Sequence, residues 1–287
     1  MFNFPETLRF SVEGFFDTII TWLTTTFSGL FDGITIGISI MFSVIESGLG
    51  FIPWFIYVLL VYYLANKFYG WKTGLVLSGM LFTVGLFGLW VHMQYTLAIV
   101  IISVLVSLLI GLPTGISMAK NSTVEKILLP ILDAMQTMPS FVYLIPAVML
   151  FGMGRVPAVF ATTLYAMPPV IRLVFLGIKN VDREVIEAGL SFGSTKRQML
   201  FKIELPQAIS TIMTGVNQTT MMAMAMVVIS SMIGADGIGA EVLISIRRLE
   251  VGRGFQAGFA IVFLAIILDR LLQGAAKSFE GGVPENE

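Results

Sequence analysis

The chain has 287 residues, of which 56% are hydrophobic and 12% charged, with a formal net charge of −1 and a mean hydropathy of +0.89. Because soluble domains carry about 25% charged residues, this composition excludes an ordinary soluble fold and predicts a polytopic membrane protein, which we expect to be all-α. The near-zero charge offers no electrostatic attraction to nucleic acid, and the lack of cysteine excludes disulfide and thiol chemistry.

The N-terminal residues 1–50 are predicted to form an amphipathic helical segment that lies in the membrane interface. This part of the chain mixes Trp22 and Phe27 with threonine, serine and glycine and with the acids Asp17 and Asp32. Residues 34–48 are also compatible with a further partial span.

Apolar stretches after residue 50 predict about seven membrane helices, in a range of six to eight, because a span needs roughly 20 apolar residues. Residues 51–94 are predicted to hold two peripheral membrane helices, residues 95–273 the core, and residues 274–287 a C-terminal cytoplasmic tail. Pro146 predicts that the short fourth span is tilted or broken. The candidate spans are residues 51–66, 73–92, 95–119, 139–153, 155–178, 207–233 and 255–273.

Basic residues are distributed unequally between the loops. Eleven of the 17 lysines and arginines fall on the side that includes residues 179–206, which the positive-inside rule assigns to the cytoplasm. The basic stretch at residues 245–254 falls on the other side, and we consider that it folds back onto the protein. Arg172 lies inside a predicted span, where an unpaired charge is costly, so we expect it to pair with Asp133 or to extend toward the inner face near Lys179.

Glycines in the predicted span at residues 95–119 indicate close helix packing near its inner end. Gly111 and Gly115 flank Pro113 there. Side chains as small as that of glycine allow the backbones of membrane helices to approach each other.

The segment "EAGLSFGSTKRQMLFKIELP", residues 187–206, interrupts this mostly apolar chain. Gly193 can end a helix or adopt a left-handed turn, Ser194 or Thr195 can cap a helix, and Pro206 suits the first turn of a new span. The pattern predicts a helix, a turn, a short amphipathic helix and then a span. Such a helix suits a groove on a partner, and the residues alone leave open a helix that rests on the bilayer.

The spacing within this segment resembles the motif EAA-x3-G-x9-I-x-LP in the cytoplasmic loop of permease subunits of bacterial ABC importers. Gly189 stands where that family usually has alanine. The resemblance implies that residues 183–206 form a coupling loop that docks on a separate ATPase subunit. The residues that match the motif or its variant position are Glu187, Ala188, Gly189, Gly193, Ile203, Leu205 and Pro206.

Stretches at residues 131–154, 165–179 and 215–242 resemble the permeases of osmoprotectant importers for glycine betaine, proline betaine, carnitine or choline. The resemblance covers roughly residues 95–273 and implies the permease core of a type I ABC importer, in a bacterial inner or plasma membrane. It implies translocation of a quaternary ammonium or related methylated osmolyte that a separate extracytoplasmic solute-binding protein delivers. Choline, carnitine, trimethylamine N-oxide and amino acids remain alternative solutes.

The same resemblance implies a complex of two permease copies as a homodimer, two cytoplasmic ATPase subunits and the binding protein, surrounded by membrane lipid and without nucleic acid. The sequence contains no G-x-x-x-x-G-K-[ST] motif, so ATP and Mg are expected on the partner ATPase, and this chain is predicted to be no enzyme and to hold no cofactor or metal. The alternative is a stand-alone secondary transporter, which would need intramembrane carboxylates or inverted repeats. Asp269, near the end of the last span, is the one acid clearly within the core spans.

Uncharged amides and methionine thioethers suit a pathway that passes a quaternary ammonium solute without holding it. Amides are costly to expose to lipid and should point inward. The spacing of Asn217, Met221 and Met224 puts them on one helix face, and ordinary helix packing is the alternative interpretation. Gln218 is a further candidate. The predicted pathway residues are Gln136, Thr137, Met138, Tyr143, Asn217, Met221 and Met224.

Overall fold

The computed structural model describes residues 13–279, and within that range every regular element is helical. The all-α prediction is therefore confirmed, while residues 1–12 and 280–287 of the predicted terminal segments lie outside the described residues. The helices are α1 (Glu13–Thr26), α2 (Ser28–Phe51), α3 (Trp54–Tyr69), α4 (Trp71–Leu86), α5 (Trp90–Lys120), α6 (Ser122–Thr137), α7 (Leu144–Phe151), α8 (Arg155–Lys179), α9 (Arg183–Ser191), α10 (Lys196–Met199), α11 (Leu205–Ser230), α12 (Ile238–Arg248) and α13 (Val251–Phe279).

Three shorter elements complete the chain: 3-10 helices at Ser140–Tyr143 and Ser231–Ile233, and a π-helix at Leu200–Glu204. Within residues 13–279, five helices are long and apolar enough to cross a membrane, or up to six if one bent pair is a single span. The five are Ser28–Phe51, Trp90–Lys120, Arg155–Lys179, Lys196–Ile233 and Val251–Ser278.

The bent pair consists of α6 and the segment Ser140–Phe151, which meet at 111°. A broken helix in this part of the chain is what the sequence predicted. The break falls at Met138 and Pro139, however, and not at Pro146. Met138 is extended (φ −68°, ψ 134°), since a residue that precedes proline is disfavoured in the helical region.

Trp54–Tyr69 and Trp71–Leu86 form α3 and α4, which pack against each other and against α13. Each has 16 residues and is therefore about 24 Å long, which is shorter than the ~30 Å hydrocarbon layer. These two helices and the short α7 fall below the length criterion, whereas α2, which was not among the seven candidate spans, meets it.

The N-terminal region contains two helices. Of these, α2 is long and apolar enough to span a membrane, which favours a further span over a wholly interfacial segment. Phe42 is fully buried and lies 4.8 Å from the ring of Tyr95 on α5. The guanidinium of Arg155, the first residue of α8, lies 5.1 Å from the centre of the Phe42 ring. This cation–π contact joins α2 to the start of α8.

The core is built by α5, α8 and α11. A Cβ atom on Gly115 of α5 would lie 2.7 Å from the carbonyl oxygen of Ile171, and one on Gly111 would lie 2.5 Å from Cγ1 of Val170. The close packing that these glycines predicted is confirmed. Ser103 strengthens the same contact by donating a hydrogen bond of 3.3 Å to the carbonyl of Val159.

The basic stretch at residues 245–254 contacts the protein through Arg253, while Arg247 and Arg248 are exposed. Arg253 donates to Glu241 at 2.7 Å and to Glu250 at 3.1 Å. The Arg253 hydrogen bond lowers the pKa of Glu241, against the opposing effect of burial, and His92, 3.3 Å away, adds to the lowering. The stretch therefore forms a corner between α12 and α13 that the hydrogen bonds of Arg253 hold together.

Candidate functional site

The polar segment predicted from its motif folds as the short helix α9, a tight turn, and a second helical part that begins with α10. Asp182 caps α9 by accepting a hydrogen bond of 2.9 Å from the N–H of Glu184. Gly193 follows α9 with φ of +76°, which confirms the left-handed turn. Thr195, one of the two predicted caps, begins α10 with a capping box: its hydroxyl accepts from the N–H of Gln198 at 3.3 Å, and its own N–H donates to that side chain at 2.9 Å.

The unusual glycine of the motif has a packing reason. Gly189 is buried on the face of α9 that meets the second half of the segment. A Cβ atom there would lie 2.6 Å from Cδ1 of Ile203 and 2.9 Å from Cε of Met199. The two halves of the segment thus pack directly on each other, and Ile203 of the motif serves this internal contact.

The sequence predicted a separate short helix in the second half of the segment, and this prediction is wrong. Residues Lys196–Ile233 run as one helix of 38 residues, about 57 Å long, which exceeds the ~30 Å hydrocarbon layer. The π-helical turn Leu200–Glu204 directly precedes Pro206, whose ring would conflict with the carbonyl four residues earlier in a regular helix. The helix therefore continues through the proline, and the second half of the polar segment is the N-terminal end of the helix that contains α11.

Apolar and basic side chains are exposed on the surface of this segment. Phe192 is 91% exposed, and Leu190 and Phe201 are also exposed. Thr195, Arg197 and Lys202 line a depression of about 500 Å³ beside Phe201. Large exposed apolar groups rimmed by charge mark a surface that binds a partner. In the motif itself, Glu187 and Ala188 are exposed as well, and Leu205 and Pro206 lie at the start of α11.

Ion pairs connect the ends of the core helices near this segment. Arg172 of α8 pairs with Asp133 of α6, which confirms the predicted pairing. Lys179 of α8 pairs with Glu125 of α6, so two contacts hold these helices together.

A further ion pair joins α5 to the π-helical turn. Lys120 donates to Glu204, which is 4% exposed. The partners are 84 residues apart in the chain, and no local sequence pattern indicated the contact.

The predicted pathway residues on α6 and after it fall into two groups. Gln136, Thr137 and Met138 are exposed at the end of α6. Tyr143 is buried, and its hydroxyl donates to the carbonyl of Met135. The 3-10 helix that contains Tyr143 packs against α11, so the break after α6 brings this turn to α11.

The predicted residues on α11 do not share one environment. Asn217 donates a hydrogen bond of 2.8 Å to Asp269 of α13, which also accepts from Gln273 at 2.7 Å. Met224 is 2% exposed in the hydrophobic core, and Met221 is half-buried. Asp269, near the end of the last span, therefore joins α13 to α11 through Asn217.

An exposed seam runs along α11 beside those residues. Thr214, Gln218 and Ala225 are exposed, and Met221 lies between them with spacings of four, three and four residues, which places all four on one helix face. Among residues 13–279, no group of three or more histidine, cysteine or acidic side chains is arranged to hold a metal ion. The seam therefore offers amide, hydroxyl, thioether and methyl groups.

A family model described as "Binding-protein-dependent transport system inner membrane component" matches residues 111–280 of this helical core. The match covers more than half of the chain and includes both the polar segment and α11. The chain belongs to this family of inner-membrane permease components, and it is accordingly a multi-pass transport subunit rather than an enzyme.

Two curated relatives extend the likeness over most of the chain. The glycine betaine transport system permease protein OpuAB of Bacillus subtilis (strain 168) is 44% identical over 267 residues, which cover 92% of this chain and 94% of that protein. The glycine betaine/carnitine transport permease protein GbuB of Listeria monocytogenes serotype 1/2a (strain 10403S) is 50% identical over 229 residues, 78% of this chain and 81% of that one. The chain is therefore similar to ABC permeases of osmoprotectant transport, as the sequence motifs indicated.

A solved structure shows the same fold. The MetNI methionine ABC transporter, in an inward-facing conformation, aligns with a TM-score of 0.55 and 21% identity over 64% of this chain and 90% of that chain. At this identity the likeness concerns the fold alone, which is that of a type I ABC importer permease.

Proposed function

We propose that the chain is the translocation subunit of an importer for glycine betaine or a related methylated quaternary ammonium osmolyte. The observation that carries this proposal is the 44% identity, across 92% of the chain, to a protein named for glycine betaine transport. Choline, carnitine and trimethylamine N-oxide are the competing solutes. A separate solute-binding protein delivers the solute to the outer face.

The polar segment docks on a cytoplasmic ATPase subunit. Its exposed Phe192 and Phe201 and its basic Arg197 and Lys202 support this role, because an amphipathic helix end suits an apolar groove with an acidic rim. ATP and Mg bind to that partner. Each permease copy engages one ATPase, which gives a complex with two of each.

The exposed seam of α11 and the end of α6 line the pathway between two permease copies. Gln218 and Thr214 lie within a membrane-crossing helix, and such polar groups are costly to expose to lipid. A second copy, related by a two-fold axis, covers both surfaces and brings Gln136, Met138 and Met221 toward the same axis. The resulting lining has no fixed charge, so that it passes a zwitterionic or cationic solute without retaining it.

The test is uptake by the reconstituted complex. The chain is expressed with its ATPase and binding protein, placed in liposomes, and assayed with radiolabelled glycine betaine, choline, carnitine and trimethylamine N-oxide. We expect ATP-dependent uptake of glycine betaine that excess unlabelled glycine betaine suppresses and an equal excess of choline does not. Uptake of choline, carnitine or trimethylamine N-oxide in preference to glycine betaine would overturn glycine betaine as the solute, and uptake without ATPase would overturn the proposed function as a whole.

A further inference from the structure

The carboxylate of Glu204 is buried at the junction between the polar segment and α11. It is 4% exposed and lies at the end of the π-helical turn. Its partner is Lys120, the last residue of α5. A carboxylate at this burial is stable only when it is paired, and π-helical turns occur frequently at functional positions.

The pair attaches the polar segment to a third core helix, α5. The backbone already connects the segment to α8 through residues 180–182 and to α11 through the continuous helix. Lys120 adds an ion pair to α5, where Gly111 and Gly115 allow close packing against α8. A displacement of the segment therefore acts on the end of α5 through this buried ion pair, beside the apolar cluster that includes Ala119, Leu200 and Leu205.

We propose that the Lys120–Glu204 pair is the positioning contact that transmits movement of the polar segment into α5. This inference rests on the proposed function, in which the segment docks on an ATPase. Glu204 and Lys120 do not themselves contact the solute or the nucleotide. They set the position of α5 relative to the segment. A conformational change of the ATPase that moves the segment therefore moves α5 with it.

The chain contains a matched control pair. Lys179 and Glu125 form the same kind of lysine–glutamate contact between α8 and α6. Neither lies in the polar segment, so neutralising Glu125 removes an ion pair at a core helix end without changing the attachment of the segment to α5.

The first experiment compares ATP hydrolysed per solute imported in the complete reconstituted transporter. For Glu204→Gln we expect the ATPase to copurify as in the native complex, while the ratio rises at least about fivefold, the lower end of coupling between sites. Lys120→Gln should give the same rise in the ratio. The exchanged pair, Lys120→Glu with Glu204→Lys, should restore the ratio to within about twofold of the native value. The control Glu125→Gln should leave the ratio unchanged. An unchanged ratio in both single variants, or loss of ATPase binding in the exchanged pair, would overturn the inference.

A second readout does not depend on which solute is carried. Because the chain has no cysteine, Ser117→Cys places one thiol on the exposed side of α5, one turn before Lys120. We expect its rate of maleimide labelling to change between nucleotide-free and ATP-bound complexes, and this change to disappear when Glu204→Gln is added. Equal labelling in both nucleotide states overturns the inference, whereas absence of glycine betaine uptake with a persistent labelling change overturns only the proposed substrate.

Discussion

A Cβ atom on Gly189 of α9 would lie 2.6 Å from Cδ1 of Ile203 in the π-helical turn. Cε of Met199 would be 2.9 Å away. Both atoms are the far ends of flexible side chains, so that small rotations can accommodate one methyl group but not a branched side chain. The contact tolerates alanine, the residue usual in this family, and nothing larger.

We expect Gly189→Ala to retain the partner ATPase, because the higher helix propensity of alanine, about 1 kcal/mol, offsets the small rearrangement. Gly189→Val should separate α9 from the π-helical turn and cost about 1–3 kcal/mol, with loss of the ATPase during copurification. Gly79→Val is the control, since a Cβ atom on this α4 glycine meets nothing within 4 Å. Equal ATPase retention by the alanine and valine variants at position 189 would contradict this packing.

The turn at Gly193 requires glycine for a different reason. Its φ is +76°, yet a Cβ atom would meet nothing within 4 Å, so the backbone conformation and not space requires glycine. Gly193→Ala should cost about 1–2 kcal/mol and reduce uptake with the chain still inserted in the membrane. Gly193→Asn should be milder, because asparagine tolerates the left-handed region, while Gly193→Asp adds a charge at the docking surface and should reduce uptake most.

Gly88 provides the control for the Gly193 series. Its φ of +74° is similar and its surroundings are equally open, but it joins α4 to α5 away from the polar segment. Gly88→Ala should therefore lower the thermal unfolding temperature and leave ATPase retention unchanged. Normal uptake by Gly193→Asp would exclude a role of this turn in coupling.

Asn217 and Asp269 should act as a coupled pair between α11 and α13. Their 2.8 Å hydrogen bond joins an amide to a carboxylate, and such bonds contribute about 1.5–3 kcal/mol. We expect Asn217→Ala to lower the unfolding free energy in detergent by that order, and Asn217→Asp to lower it further because two carboxylates then face each other. A double-mutant cycle with Asp269→Asn measures the coupling, and strict additivity would show that the bond contributes nothing.

The exposed seam of α11 should line an aqueous passage. Gln218→Cys and Thr214→Cys are expected to react with membrane-impermeant thiol reagents in the assembled transporter, whereas Met224→Cys, buried in the core, is not. Met221→Trp should block uptake while the ATPase stays bound. Leu59→Trp, on an exposed face of α3, is the control and should have no effect. Labelling of the seam by lipid-soluble reagents alone would mean that it faces lipid.

The corner between α12 and α13 should weaken in acid. The hydrogen bond from Arg253 lowers the pKa of Glu241 from its ordinary value of 4.5. Because the folded pKa is lowered, the stabilisation is complete above the ordinary value and is lost as pH falls through the lowered value. Thermal unfolding measured against pH should therefore show an acid limb that Glu241→Gln flattens and Glu46→Gln, at an exposed acid, does not. An unchanged limb in Glu241→Gln would exclude this contribution.

The sequence by itself determined the features that depend on neighbouring residues. Its apolar stretches defined a helical membrane protein, and the motif from Glu187 to Pro206 located the polar segment. Gly193 and Thr195 have the turn and the cap that their local chemistry requires. These features depend on backbone geometry over a few residues, which the order of side chains controls directly.

Only the tertiary structure decided which side chains meet. Glu204 pairs with a lysine 84 residues away and Asn217 with an acid 52 residues away. Helical periodicity assigned Asn217, Met221 and Met224 to one face, but it did not indicate which neighbouring helix that face meets. The continuous helix through Pro206 is likewise outside the reach of local rules, since a proline there is as compatible with a new helix as with a π-helical turn. Contacts between distant segments depend on how whole helices pack, and that packing is the sum of many weak interactions that no short stretch contains.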